Sequence, residues 1–379
     1  MNKKAFVKII LIIILIIVAL MIIGVVKKVK DKKDKLNEGI ENGDSCKQVR
    51  SCINGDGCCP SVCNSNNDND CKSSSNGNKF SLDSGYHDFS LNHDGLKRTY
   101  HVYVPSSYNK ETKIPVVFLI HGGGGNGNQV RGTQNMDEIA DREGFIVVYP
   151  DGTGKEILGK KLFTWNSGNC CGQSVEKNID DVGFFEKMIN ELPNNFNVDK
   201  QRIYVTGISN GGQMSHRLAC ELSDKIAAVA PIAGPVGVDN EMPPCNPLNP
   251  ISVLIYHGKQ DPCALYDGGC LPSGGCFFRE AAGIEVGELT CMLSTEEVKN
   301  KWITRNNCLG QSSVTYEKGD VKCLTYSDCN EESEVVLCTS ETAGHTWPSG
   351  TTKIDNVVGE VTYDFSNEQI WEFFKDKRL

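Results

Sequence analysis

The chain has 379 residues, 39% of them apolar, which suits one large domain with a substantial core plus appendages. Eighteen cysteines, with no Cys-x-x-Cys followed by a second such pair or by paired histidines, exclude a zinc scaffold and point to disulfides made outside a reducing compartment. The formal charge of −9 is split: residues 1–35 hold nine lysines and two aspartates, leaving 30 basic and 46 acidic residues beyond them, and an acidic body without a basic stripe excludes nucleic acid as a partner.

Ile9 to Val26 is an unbroken apolar run of 18 residues, preceded by Lys3, Lys4 and Lys8. That length is at the lower limit of a membrane span. Lys27 and Lys28 follow at once, with no small-x-small cleavage site, so residues 1–35 are expected to be an uncleaved anchor rather than a cleaved signal. The positive-inside rule would keep the lysines from Lys27 to Lys35 in the cytoplasm. The cysteines argue the opposite and bear on the whole body, so the body is expected to be extracellular, secreted or tethered to the outer face of the membrane.

Residues 36–45 read as a polar stalk. Cys46, Cys52, Cys58, Cys59, Cys63 and Cys71 then fall within 26 residues, with almost nothing apolar between them. Such a segment cannot bury a core and needs covalent staples, so a small disulfide knot is expected over 46–71. Asp56, Asp68 and Asp70 are read as solvated loop carboxylates rather than calcium ligands. Residues 72–79 are a Ser/Asn/Gly linker.

From residue 80 to 379 strand-like and helical patterns alternate. Strands are expected at Tyr100–Val104, Val116–Ile120, Phe145–Tyr149, Arg202–Thr206, Ala227–Ile232, Val253–Tyr256 and Glu334–Cys338. Helices are expected at Gln134–Arg142, Val182–Leu192, Gly211–Leu222, Thr295–Arg305 and Ile370–Lys375. This alternation predicts an α/β domain with a mainly parallel sheet covered by helices on both faces. No internal repeat is visible, and nothing in the sequence sets an oligomeric state.

One motif stands where that frame gives it chemical meaning. Gly207-Ile-Ser209-Asn-Gly211 matches Gly-x-Ser-x-Gly, with a predicted strand running into it and a predicted helix running out. A serine on so sharp a turn is exposed, and the helix points its positive end at a developing oxyanion. Ser209 is therefore the candidate nucleophile. A serine hydroxyl needs a base. Of the seven histidines, only His345, in Gly344-His-Thr-Trp-Pro348, lies well downstream of a strand-end acid. The acid is best placed at Asp261, just after the strand Val253–Tyr256, with Asp267 as its competitor and His257 in a structural role. The oxyanion hole is expected to use the backbone N–H of Asn210 and that of Gly123 or Gly124, in the loop His121-Gly-Gly-Gly-Gly-Asn126. That loop lacks the Gly-Lys-Ser/Thr ending of a phosphate loop and is read as having no helix start after it. No metal and no cofactor are called for.

These stretches, with Trp165-Asn-Ser-Gly-Asn-Cys-Cys-Gly172, Asp180-Asp-Val-Gly-Phe184, Arg217-Leu-Ala-Cys220, Ala228-Val-Ala-Pro-Ile-Ala-Gly234 and His257-Gly-Lys-Gln-Asp261, resemble the secreted polyhydroxybutyrate depolymerase and feruloyl esterase group of α/β hydrolases. The resemblance covers about residues 85–375. It implies the α/β-hydrolase fold, Ser209, Asp261 and His345 as a triad, an extracellular ester hydrolase and no cofactor. It does not reach the anchor or the knot, and the chain departs from the pattern between Cys270 and Cys291. Trp165 and Trp347 are expected to flank the cleft and stack on an aromatic acyl group or a sugar. Cys170 and Cys171 are expected to join two separate disulfides. Feruloyl or acetyl esters of plant polysaccharide come ahead of polyhydroxybutyrate and long-chain lipid as expected substrates. A serine peptidase of the same fold, or a surface-binding protein that kept the fold, are the alternatives.

Overall fold

The computed structural model of the chain describes residues 80, 82–157, 160–238, 243–272, 289–351 and 358–379. The chain divides into two units, Met1–Gly77 and Asn78–Leu379. The apolar run Ile9–Val26, the stalk, the knot and most of the 270–291 stretch lie outside the described residues. Among the described residues no helix is long and apolar enough to cross a membrane.

Ten strands form one sheet. They are β1 (Gly85–His93), β2 (Leu96–Val104), β3 (Ile114–Ile120), β4 (Ile146–Pro150), β7 (Val198–Ile208), β8 (Ala228–Ile232), β9 (Ser252–Gly258), β12 (Ser313–Lys318), β13 (Val321–Tyr326) and β14 (Val335–Ser340). Their order is β1-β2-β4-β3-β7-β8-β9-β14-β13-β12. The run from β4 to β14 is parallel throughout. At either side an antiparallel pair extends it, β1–β2 on β4 and β13–β12 on β14, so the sheet is mixed. Two small hairpins, β5 (Thr153–Ile157) with β6 (Lys160–Thr164) and β10 (Gly269–Pro272) with β11 (Leu289–Met292), stand apart from it.

The central strands are buried on both faces, which is why they read as continuous apolar runs rather than alternating ones. In β3 all seven residues, Ile-Pro-Val-Val-Phe-Leu-Ile, are buried. Successive side chains point to opposite faces. Val116, Phe118 and Ile120 enter one core with Phe184, Phe185 and Met188 of α4 (Asp181–Glu191), Met214 and Leu218 of α5 (Asn210–Glu221), and Val298 and Trp302 of α6 (Thr295–Arg305). Val117 and Leu119 enter the other core with Val130 of α1 (Gly127–Gln134), Met136 and Ile139 of α2 (Met136–Glu143), and Ile370 and Phe374 of α7 (Asn367–Phe374). A short α3 (Gly172–Glu176) completes the helices used here.

The Gly-rich loop after β3 does lead into a helix: α1 starts at Gly127, capped by the Asn126 side chain, which accepts the Gln129 N–H. This corrects the expectation of no helix start. Its sequence, Gly-Asn-Gln-Val-Arg-Gly-Thr-Gln, carries one apolar residue and so shows no helical period.

Because β3, β7, β9 and β14 share one direction, the segments that follow them leave from one edge of the sheet. His121–Gly125, Ser209, Asp261 and His345 all belong to those segments. In open α/β sheets that edge is where ligands bind.

Candidate active site

Ser209 joins β7 to α5 with φ 58° and ψ −123°, in the left-handed half of backbone space that a β-carbon makes costly. The turn is held by the Ser209 N–H, which donates to the Ile232 carbonyl at 3.0 Å. It is possible only because its neighbours lack side chains. A β-carbon on Gly207 would stand 2.7 Å from the Gly211 carbonyl carbon, and one on Gly211 would stand 2.6 Å from the His121 carbonyl oxygen. Helix α5 begins at Asn210, so its unpaired first N–H groups lie beside Ser209.

Asp261 and His345 meet. His345 Nδ1 lies 2.8 Å from Asp261 Oδ2, and both residues are buried. Among the described residues Asp261 has four donors. Its Oδ1 accepts the Cys263 and Ala264 N–H groups, each at 2.8 Å, and its Oδ2 also faces His257 Nε2 at 3.0 Å. His257 Nε2 is 2.8 Å from the Ala264 carbonyl as well. Both neighbours of that nitrogen are acceptors, so it carries the proton, and Nδ1 accepts from the Thr295 hydroxyl at 3.0 Å. Burial alone would raise the Asp261 carboxyl, but the opposing pull of His345 and His257, whose ring N–H groups face its Oδ2, outweighs it and holds it well below the usual range. The loop bearing His345 is tied down on its own side: the His345 N–H donates to the Val358 carbonyl, and Gly344 N–H to Glu360. The Gln260 N–H donates to the Ala343 carbonyl at 3.1 Å, linking the loops of the acid and the imidazole. Asp267 lies outside this network.

Asp261, Cys263 and His345 bring a carboxylate, a sulfur and an imidazole within 4.8 Å of one another. Cys263 is disulfide-bonded and offers no thiolate, so the group does not supply three metal ligands.

The Gly-rich loop lies across the elbow. A β-carbon on Gly122 would stand 3.3 Å from Ser209 Cβ, and one on Gly123 would stand 3.8 Å from Asn210 Cβ. The N–H groups of Gly123 and Asn210 have no acceptor among the described residues. Gly124 is a correction: its N–H donates to the Phe163 carbonyl at 2.8 Å, because the β5–β6 hairpin packs on this loop, and it is not free for an oxyanion.

Both tryptophans are corrections too. Trp165 and Trp347 are 0% exposed, so neither offers a face to a ligand. Trp347 belongs to the core on the α7 side, where its Nε1 donates to Asn367 Oδ1 at 2.9 Å. Trp165 lies beneath the Gly-rich loop, its Nε1 donating to the His121 carbonyl at 3.0 Å and its ring 4.8 Å from the His121 ring. Cys170 and Cys171 form a vicinal pair. The other described disulfides are Cys220–Cys245, Cys270–Cys291, Cys308–Cys329 and Cys323–Cys338. Sequence reasoning gave His257 a structural or supporting role, which its bond to Asp261 fits, and missed the bonds made by His121. The signal for His257 was its place four residues before Asp261, at the end of the same strand.

Comparison with known proteins agrees with this frame. The family model for esterase PHB depolymerase matches residues 98–295, a span that takes in the Gly-rich loop, the elbow and Asp261. Feruloyl esterase B of Piromyces equi is 29% identical over 244 residues, which are 64% of this chain and 41% of that one. A bifunctional acetylxylan esterase/xylanase of Neocallimastix patriciarum is 28% identical over 172 residues, 45% of this chain and 22% of that one. The chain thus spans less than half the length of these two relatives. Among solved structures, an acetyl xylan esterase from Aspergillus awamori superposes with a TM-score of 0.50 at 14% identity, covering 76% of this chain and 99% of that one. That likeness shows the fold, an α/β-hydrolase-like one. With the family model spanning more than half of the 379 residues, the chain belongs to the esterase PHB depolymerase family.

Proposed function

We propose that this chain hydrolyses carboxylic esters through an acyl-enzyme, with Ser209 as nucleophile, His345 as base and then acid, and Asp261 as the carboxylate that orients His345. The observation that carries the reading is the buried Asp261–His345 bond, 2.8 Å long, on the sheet edge from which the strained Ser209 also projects. Asp261 holds Nδ1, so the proton sits there and Nε2 is left as the base. Nε2 takes the Ser209 proton as the hydroxyl attacks the ester carbonyl. The N–H groups of Asn210 and Gly123 receive the oxyanion. His345 then gives its proton to the leaving alcohol, and water repeats the sequence on the acyl-enzyme.

The same proposal covers substrate and location. Relatives named for feruloyl and acetylxylan ester cleavage support feruloyl or acetyl esters of plant polysaccharide ahead of polyhydroxybutyrate-type polyester. The disulfides support an extracellular body, which residues 1–35 would tether to the membrane, with 36–79 as stalk, knot and linker.

The test is Ser209→Ala. Turnover should fall by roughly 10⁴–10⁶ in kcat with the thermal transition unchanged, and a fluorophosphonate should label the wild type alone. A folded Ser209→Ala protein that keeps its activity would sink the mechanism. Rates on methyl ferulate, an acetylated xylan oligomer, a hydroxybutyrate oligomer and a long-chain triglyceride test the substrate; faster cleavage of either of the last two would overturn the ranking.

A further inference from the structure

We propose that His121 is a positioning residue for the oxyanion hole: by donating from Nδ1 to the Gly122 carbonyl, it aims the Gly123 N–H at the oxygen that becomes charged when Ser209 attacks. The inference rests on the esterase reading above.

His121 is buried, and each ring nitrogen has its own partner. The Gly152 N–H lies 3.0 Å from Nε2 and can only donate, so Nε2 is the bare nitrogen. The proton must then sit on Nδ1, 2.7 Å from the Gly122 carbonyl oxygen, where it is donated. Burial pushes the ring down to about 4, against smaller opposing effects of the Gly122 carbonyl and Asp151. The imidazole is therefore neutral where an esterase works, and this tautomer is the form that acts.

The consequence follows from peptide planarity. In a trans peptide the carbonyl of one residue and the N–H of the next point in opposite directions. The Gly122–Gly123 bond is trans. The Gly122 oxygen is held by His121 Nδ1 on the ring side and by the Gly125 N–H at 3.1 Å. Fixing that oxygen fixes the Gly123 N–H on the far side of the same plane. Gly123 has no β-carbon to block the approach, and its N–H has no acceptor among the described residues. Trp165 holds the carbonyl and the ring of His121 from beneath, so the device does not rotate away. Without the Nδ1 donor, the Gly122 oxygen keeps among the described residues only the Gly125 N–H, a bond within a run of four conformationally permissive glycines, and an oxyanion donor works only when its direction is set before the charge develops.

A rival account gives His121 only the task of pinning Gly152. Two substitutions separate them, because an Asn amide overlays the Nδ1 position and a Gln amide overlays Nε2. His121→Asn can keep the donor to Gly122 and loses the Gly152 bond. His121→Gln keeps the Gly152 bond and loses the donor. On the full chain, H121Q should lose about 10–100-fold in kcat with KM within about threefold of wild type, and H121N should turn over at least about tenfold faster than H121Q. Equal kcat for the two, the reverse order, or a loss confined to KM would overturn the proposal. A second measurement needs no variant: imidazole ¹⁵N shifts of the wild type between about pH 5 and 8 should show His121 protonated on Nδ1 and bare on Nε2. The opposite tautomer overturns the proposal. A wild type that cleaves no ester and takes no fluorophosphonate label overturns the esterase reading itself, and this inference with it.

Discussion

Asp261 receives more hydrogen bonds than orienting one imidazole requires. Two backbone N–H groups fix Oδ1, and two imidazoles converge on Oδ2. The carboxylate is thus locked in rotation, and His345 is locked with it. Its carboxyl titrates lower in the folded chain than in the unfolded one, so it contributes stability at and above the usual carboxylate range, and that contribution is lost as pH falls below it. Asp261→Asn keeps the shape but turns an amide N–H₂ toward either His345 or the backbone donors. With the backbone donors kept, the amide faces His345 Nδ1 and favours the wrong tautomer. The expected cost is about 10⁴ in kcat with little change in KM, measured by steady-state rates on the best ester of the panel; a kcat within tenfold of wild type would remove Asp261 from the mechanism. Ser209 and Asp261 were legible in the sequence because each stands one short step past an apolar strand. The tryptophans were not. An aromatic ring beside a glycine-rich stretch reads the same in a cleft or in a core, and only the packing of Phe185 against Trp165, and of Asn367 against Trp347, decides it.

At the scale of elements, the alternation of strands and helices could be read, but the antiparallel margins could not. The β12–β13 hairpin went unseen because β12 is short and exposed along almost its whole length, with only Val314 and Tyr316 alternating among polar residues. Its turn, Gly319-Asp320 between runs rich in Thr, Val and Tyr, was the available signal. That turn matters to the site. Asp320 accepts hydrogen bonds from the Ser340, Thr342 and Thr362 hydroxyls and from the Thr342 N–H, while Ser340 in turn accepts the Ala343 N–H. One carboxylate thereby braces the loop that carries His345. Burial would raise Asp320, yet these hydrogen bonds win and bring it from 3.8 to about 2. Since the folded value lies below the unfolded one, the stabilisation is complete above about pH 4 and drains away as pH falls toward 2. Asp320→Ala should cost about 2 kcal/mol at neutral pH and flatten the acid side of the stability curve over that window. Urea unfolding at several pH values checks both; an unaltered acid limb would show that Asp320 braces nothing.

The molecule as a whole depends on an oxidising compartment to a degree that can be weighed. Leaving aside the vicinal pair, four described disulfides close loops with sequence separations of 25, 21, 21 and 15. Loops of that size are worth roughly 3 kcal/mol each, or about 12 kcal/mol together, by the chain-entropy argument. The net stability of a whole folded domain is only about 5–15 kcal/mol. Reduced, the body would forfeit an amount comparable to everything that holds it folded. No free thiol is present among the described residues. A few lysines after Val26 would only bias an orientation, whereas the cross-links carry a share of stability comparable to the net stability of a domain. This weight supports the proposal that the body lies outside the reducing compartment of the cell. Protease added to intact cells should digest the body, and a maleimide applied without reductant should find no thiols in it. A body protected from protease and carrying reactive thiols would place it in the cytoplasm, and would require the reduced chain to be stable without any of these cross-links.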